Sequence, residues 1–347
     1  METSLPLDWF NATDALNNYS FVLPLERDWN RTGATIWMQR NWTLSIWASI
    51  IYMIMIFGGQ KLMANRQAFD LRLPLAAWNA LLSLFSTIGF IRSSPEFFRI
   101  LQRHGFYHSV CVPSYAQDSV CGLWMEAFIL SKLFELVDTV FIVLRKRPLI
   151  FLHWYHHVTV LIYCWHSMKD HTAAGRWFSW MNYAVHSIMY AYYATSALRL
   201  RAPRWVSMGI TTMQLSQMVV GCYLVYYVYW AKTFTPERMC HQTWENLSFC
   251  FGIYFTYFLL FLNFFYKAYV ESSLRKSKKA GIKEADSQKA KAINSEAAID
   301  NAISNNNHLV ANGSSVKNGL RVRNGFHVDD KQKNGSEIQA NGNAKRD

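Results

Sequence analysis

LIFLHWYHHVTVLIYCWHSM, residues 149–168, is the stretch on which the fold turns. It has the ~20 mostly apolar residues that carry an α-helix across a bilayer core. Three closely spaced histidines interrupt its first half: His153, His156 and His157. On a helix, offsets of 0, 3 and 4 place them on one face. Imidazoles turned to lipid are costly, so that face is expected to look into protein or a cavity.

Six further apolar runs lie at roughly 34–57, 75–92, 121–142, 175–198, 205–230 and 244–269. In hydrocarbon the backbone must satisfy its own hydrogen bonds, so each is expected to be a helix. The alternating strands of about ten residues that a membrane barrel needs are absent. The expected fold class is an all-α membrane protein with seven transmembrane helices. Its parts are a polar N-terminal segment (1–33), the membrane domain (34–270) and a basic tail (271–347). The tail is rich in Asn, Lys, Gly, Ala and Ser, and is expected to be disordered. The composition agrees with a membrane chain: 51% hydrophobic and 16% aromatic, with only 17% charged residues.

The net charge is +12. The cations sit in small groups at the ends of apolar runs rather than in a basic groove, which argues against nucleic acid and for lipid headgroups. Lys61, Arg66 and Arg72, then Arg145, Lys146 and Arg147, then Arg199, Arg201 and Arg204, then Lys267, Arg275, Lys276, Lys278 and Lys279 all fall on one side of seven spans. The positive-inside rule makes that side cytoplasmic and the N-terminus luminal. Arg92, Arg99 and Arg103 sit on the opposite side. Residues 1–33 lack the apolar core of a cleavable signal, so insertion is expected to rely on the first span. Glycosylation triplets start at Asn11, Asn18, Asn30 and Asn41, the last too close to the membrane for modification; those at Asn312 and Asn334 fall in the cytoplasmic tail. Six cysteines include no C-x-x-C pair, so no zinc site is expected. Cys111 and Cys240 both fall on the luminal side, where an oxidising compartment permits a bridge; two free thiols are the other reading.

Polar residues inside the other runs mark the chemistry. Asn182 and His186 lie one helical turn apart, as do Glu135 and Asp138, and Gln214 and Gln217 are three apart. A buried carboxylate needs a partner, and imidazole is a natural one. Lys132 and Glu135 fit an intrahelical ion pair. Two chemistries suit the cluster. One is a di-iron site of the membrane desaturase or hydroxylase kind. For that His104 and His108 give a superficial first box, but no second HxxHH-like box follows residue 157. The other uses neutral imidazole directly as nucleophile or base. A seven-span receptor or transporter is a non-enzymatic alternative. The short basic loops and the lack of related halves speak against it.

KLFELVDTVFIVLRK (132–146), FLHWYHH (151–157), MNYAVHSIMYAYY (181–193) and QLSQ (214–217) stand in that order. Together they resemble the signature blocks of the very-long-chain fatty acid elongases, most closely the subtype that extends saturated and monounsaturated acyl chains. The resemblance covers about residues 30–275. It implies seven helices, six of them around a narrow acyl tunnel, in the endoplasmic reticulum membrane. It implies condensation of a long-chain acyl-CoA with malonyl-CoA to 3-oxoacyl-CoA and carbon dioxide. No metal or redox cofactor is implied. The implied partners are the lipid bilayer, the two CoA thioesters and the reductases and dehydratase that complete the cycle, with a homodimer allowed. On this resemblance His156 is the acyl-accepting nucleophile and His186 acts on the malonyl unit or the thioester. His153 and His157 shape the site or assist proton transfer, while Asp138 and Asn182 orient imidazoles. Lys132, Arg145 and Lys146 are candidate contacts for CoA phosphates. The chain end, Ala344-Lys345-Arg346-Asp347, only loosely resembles a di-lysine retrieval signal.

Overall fold

The computed structural model describes residues 19–200 and 202–311, which contain helices and no strand. The helices, in chain order, are α1 (Pro24–Arg27), α2 (Arg31–Asn41), α3 (Leu44–Met63), α4 (Arg72–Cys111), α5 (Ser119–Phe134), α6 (Val137–Leu144), α7 (Phe151–Met168), α8 (Gly175–Ala197), α9 (Arg204–Phe234), α10 (Trp244–Phe265) and α11 (Ser272–Ala311). Four are long and apolar enough to cross a membrane: α3, α4, α9 and the continuous helix Trp244–Ser295 that includes α10. The expected spans 149–168 and 175–198 are also helical, as α7 and α8, but polar residues lower their apolarity.

The expected boundaries shift in three places. The first span begins at Leu44 rather than 34, because residues 31–41 form a separate helix, α2. The second extends to Cys111, with a break at Gly105, whose φ of 77° suits a residue without a Cβ. The third divides at Glu135–Leu136 into α5 and α6, which sends Glu135 and Asp138 to different partners. Residues 272–311, expected to be disordered, form α11 instead. Alanine, lysine and glutamate recur in that stretch and favour helix without any core to pack on. The rest of the expected tail lies outside the described residues.

Two compact units divide the chain at Arg275. In the first, α4 packs along α8, α8 on α9, α9 on α10, α10 on α7, α7 on α5, and α5 back on α4. The helix α3 packs outside this sequence of neighbours, on α6 and α7. Cys111 and Cys240 are disulfide-bonded, tying the end of α4 to the α9–α10 connection.

Buried ion pairs collect at the same end of the bundle as that bridge. Arg92 bonds both oxygens of the fully buried Glu26, at 2.7 and 2.5 Å. Arg99 meets Asp118 at 3.0 Å. These contacts account for Arg92 and Arg99, two of the three cations expected near the connection between the second and third spans. Arg176 bonds both oxygens of Glu96, at 3.0 and 2.9 Å, as well as the Ser109 carbonyl and the Ser114 hydroxyl. Arg92 and Arg176 each have a carboxylate and further acceptors, the arrangement buried charge requires; Arg99 has Asp118, and its Nε is buried without a partner. The stretch 19–33, read from sequence only as a polar segment, supplies Tyr19, Glu26 and Trp29 to this network.

Candidate active site

The first unit encloses a cavity of about 230 Å³. Its walls come from α5 through α10, and its lining includes all six residues predicted to be catalytic: Asp138, His153, His156, His157, Asn182 and His186. Glu135, Gln214 and Gln217 line it too. At one end stand Ile150, Tyr193 and Phe264, near the Arg145–Arg147 cations; at the other stand Tyr163, Cys164, Phe178 and Tyr254. The second group is mostly aromatic: the Phe178 and Tyr254 rings lie 4.8 Å apart at 31°. Tyr254 reaches that position because Gly221 on α9 has no Cβ to meet its ring.

The helical spacing in α7 puts the histidines on the cavity face, and their neighbours differentiate them. Nε2 of His153 lies 2.9 Å from the Thr139 hydroxyl, which lies 2.8 Å from the Tyr52 hydroxyl on α3. His157 is buried against His153 and Tyr52. The ring of His156 makes no hydrogen bond to any described residue. It stands 5.0 Å from the Tyr257 ring, while its own carbonyl accepts from the Tyr257 hydroxyl at 3.2 Å. The backbone is therefore fixed and the ring nitrogens stay available, the state a nucleophile needs.

The facing wall belongs to α8. The Asn182 amide nitrogen lies 3.0 Å from Nε2 of His186, and the Asn182 carbonyl oxygen accepts from the Lys132 ammonium at 3.0 Å. Asn182 thus contacts an imidazole. Asp138 does not: it accepts from the Trp78 indole at 2.7 Å and the Tyr190 hydroxyl at 2.8 Å. The break between α5 and α6 explains the difference. It turns Asp138 toward α4 and α8, and leaves Glu135 as the carboxylate nearest His186, at 3.9 Å. Tyr190 in turn sets its ring edge-on to His186 at 5.2 Å. Gln214 donates to the Met189 sulfur at 3.2 Å.

The expected phosphate contact at Lys132 does not fit this geometry. Only 2% of Lys132 is exposed, and its ammonium is shared by Glu135 at 2.7 Å, Asn182 and the Phe128 ring. It forms the ion pair that the i, i+3 spacing allows. Lys146 is exposed, with its ammonium on the carbonyls of Ala64 and Arg66 at 2.9 and 3.0 Å. Arg145 is half-buried at the end of α6. Neither lines the cavity. Among the described residues no three His, Cys, Asp or Glu side chains are grouped as metal ligands would be. The first-box pair His104 and His108 stack on one another at 4.7 Å in the last turns of α4. Sequence reading missed Trp78, Tyr52 and Thr139. Each is an ordinary residue in an apolar run, and only packing reveals its partner.

Fold and site define an all-helical membrane protein with an apolar internal cavity carrying four imidazoles. The sequence pattern of the ELO family, described as GNS1/SUR4, matches residues 37–279. The chain is 53% identical over 268 residues to "Putative fatty acid elongase 3" of Caenorhabditis elegans, covering 77% of this chain and 83% of that protein. It is 50% identical over 266 residues to "Very long chain fatty acid elongase 6" of Drosophila melanogaster, covering 76% and 83%. With the human protein of that name it shares 43% identity over 266 residues, covering 76% and 97%. The chain belongs to the ELO family.

Proposed function

We propose that this protein is a fatty acid elongase that condenses a long-chain acyl-CoA with malonyl-CoA. The observation that carries the reading is one cavity holding an unengaged His156 and, on the facing helix, an oriented His186, in a chain whose relatives are named fatty acid elongases. An acyl chain occupies the apolar end and the thioester lies beside the imidazoles. A ring nitrogen of His156 attacks the thioester carbonyl, the C–S bond breaks, and CoA leaves as a thiolate that takes up a proton. The acyl group is then held as an acyl-imidazole, which divides one difficult step into two. Malonyl-CoA enters and loses carbon dioxide. Its C2 carbanion attacks the acyl carbon, freeing the imidazole and giving 3-oxoacyl-CoA. No metal or redox cofactor takes part. Arg145 and Lys146 flank the entrance for the CoA phosphates.

The same reading makes α3, α4, α5 with α6, α7, α8, α9 and α10 seven membrane crossings, with all but α3 forming a six-element barrel. The run of neighbours from α4 through α8, α9, α10, α7 and α5 supports it. It also gives a reason for the weaker apolarity of α7 and α8, since polar side chains that face a cavity are shielded from lipid. The protein resides in the endoplasmic reticulum with its N-terminus luminal and its C-terminus cytoplasmic. Asn30 is exposed there; Asn11 and Asn18 lie outside the described residues.

Microsomes expressing the full chain, given labelled malonyl-CoA and a series of acyl-CoAs, should form 3-oxoacyl-CoA without added metal. Acyl-CoA alone should leave a hydroxylamine-labile acyl group on the protein. Undiminished condensation by His156→Ala would remove the nucleophile assignment, and a wild-type protein without condensation would remove the function.

A further inference from the structure

The hydrogen bonds around His186 leave it only one arrangement of protons. Lys132 can only donate, so the Asn182 atom 3.0 Å from its ammonium is the carbonyl oxygen, and the side-chain amide cannot be flipped. The other end of that amide, an NH2 group, then faces Nε2 of His186 at 3.0 Å. An NH2 group can only donate, so Nε2 must offer its lone pair and carry no proton. The neutral imidazole therefore holds its proton on Nδ1. Nδ1 makes no hydrogen bond to any described residue. It lies 3.9 Å from the nearer Glu135 oxygen, beyond bonding distance, and His186 forms part of the cavity wall. The second oxygen of Glu135 is buried without a partner. Negative charge on the Nδ1 side of the ring and an amide donor at Nε2 both favour the proton on Nδ1.

We propose that Lys132 is a positioning residue that acts through Asn182 to lock His186 as its Nδ1–H tautomer, so that His186 presents a hydrogen-bond donor, not a base, to the thioester carbonyl. This rests on the elongase reading above. As the His156 nitrogen attacks, charge builds on the carbonyl oxygen, and a pre-formed N–H donor in the cavity wall stabilises that charge. His186 neither gains nor loses a proton in the step. The buried Lys132–Glu135 pair thereby has a role beyond neutralising charge in the bundle: the ammonium decides which way the amide points.

The test uses the purified full-length protein and labelled malonyl-CoA. Asn182→Asp is nearly isosteric but replaces the donor facing Nε2 with an acceptor, which moves the imidazole proton to Nε2. Its kcat should fall by about 100-fold or more, the scale of losing one oxyanion donor, with KM for acyl-CoA little changed. Lys132→Met frees the amide to rotate and should lower kcat while leaving KM. His186→Gln retains an N–H donor and should keep at least about tenfold more activity than His186→Ala; a base would not be rescued in this way. If kcat of Asn182→Asp stays within about threefold of wild type, or if His186→Gln is no better than His186→Ala, the proposal is overturned. If Asn182→Asp does not fold, as judged by thermal unfolding and gel filtration, the His186 pair decides alone. Wild-type protein that makes no 3-oxoacyl-CoA would instead remove the functional reading.

Discussion

Replacing Gly221 with alanine should shorten the products this enzyme makes. A Cβ built on Gly221 would lie 3.0 Å from Cζ of Tyr254 and nearer still to two other ring carbons. Ordinary carbon contacts need about 3.5–4.0 Å, so the ring must retreat by about an ångström or more. It has little free room, since Tyr254 is 7% exposed and packed on Phe178. The open direction is the cavity that both rings line. A displacement of that size removes space for roughly one methylene of the acyl chain, worth about 0.8 kcal/mol. Discrimination against the longest substrate should therefore rise by about fourfold. Overpacking should also cost about 1–3 kcal/mol of stability. The assay is product chain length by mass spectrometry from a mixture of acyl-CoAs, with thermal unfolding in detergent alongside. Gly221→Ala combined with Tyr254→Leu should restore the longer products. An unchanged product distribution in a folded Gly221→Ala protein would refute the placement of the acyl chain's end against these rings.

Three further outcomes follow from the end of the bundle that carries the disulfide. Arg176→Met leaves Glu96 buried and unpaired and should destabilise by about 3–5 kcal/mol; the double variant with Glu96→Gln should recover part of this in the same unfolding measurement. Loss of the Cys111–Cys240 bridge, which spans 129 residues, should cost about 2–5 kcal/mol, read as a lower unfolding temperature under reductant or in Cys111→Ser/Cys240→Ser. His171, in the α7–α8 connection, is held at a pKa of about 4 rather than 6.5 by burial first and then by the nearby Arg31 and His241. The unfolded chain takes up this proton at higher pH than the folded one, so the contribution is complete above about pH 6.5 and is lost as pH falls toward 4. The difference in stability between wild type and His171→Asn should shrink over that window, and a constant difference would contradict it.

Much of this molecule was legible in the order of its residues. Apolar runs near 20 residues long demand helices in hydrocarbon, and an i, i+3, i+4 histidine set demands a sheltered face. Those are local constraints, so they survive without knowledge of neighbours. The Lys132–Glu135 pair and the Asn182–His186 pair were legible for the same reason, each lying within one helical turn. The fate of Asp138 was not. The choice between His186 and the pair Trp78 and Tyr190 depends on a change of helix direction at Glu135–Leu136 that composition does not mark. The buried ion pairs near the disulfide were hidden too, because Glu26 with Arg92 and Asp118 with Arg99 pair side chains from separate segments.

By itself the sequence determined an all-helical membrane chain with a histidine face and the family blocks to go with it. The tertiary structure alone decided that α8 faces α7 across a cavity, that Lys132 lies inside the bundle and that paired rings line that cavity. Helical periodicity is written into adjacent residues. Which face meets which depends on packing among helices far apart in the chain, where one glycine or one break in a helix is enough to redirect a side chain.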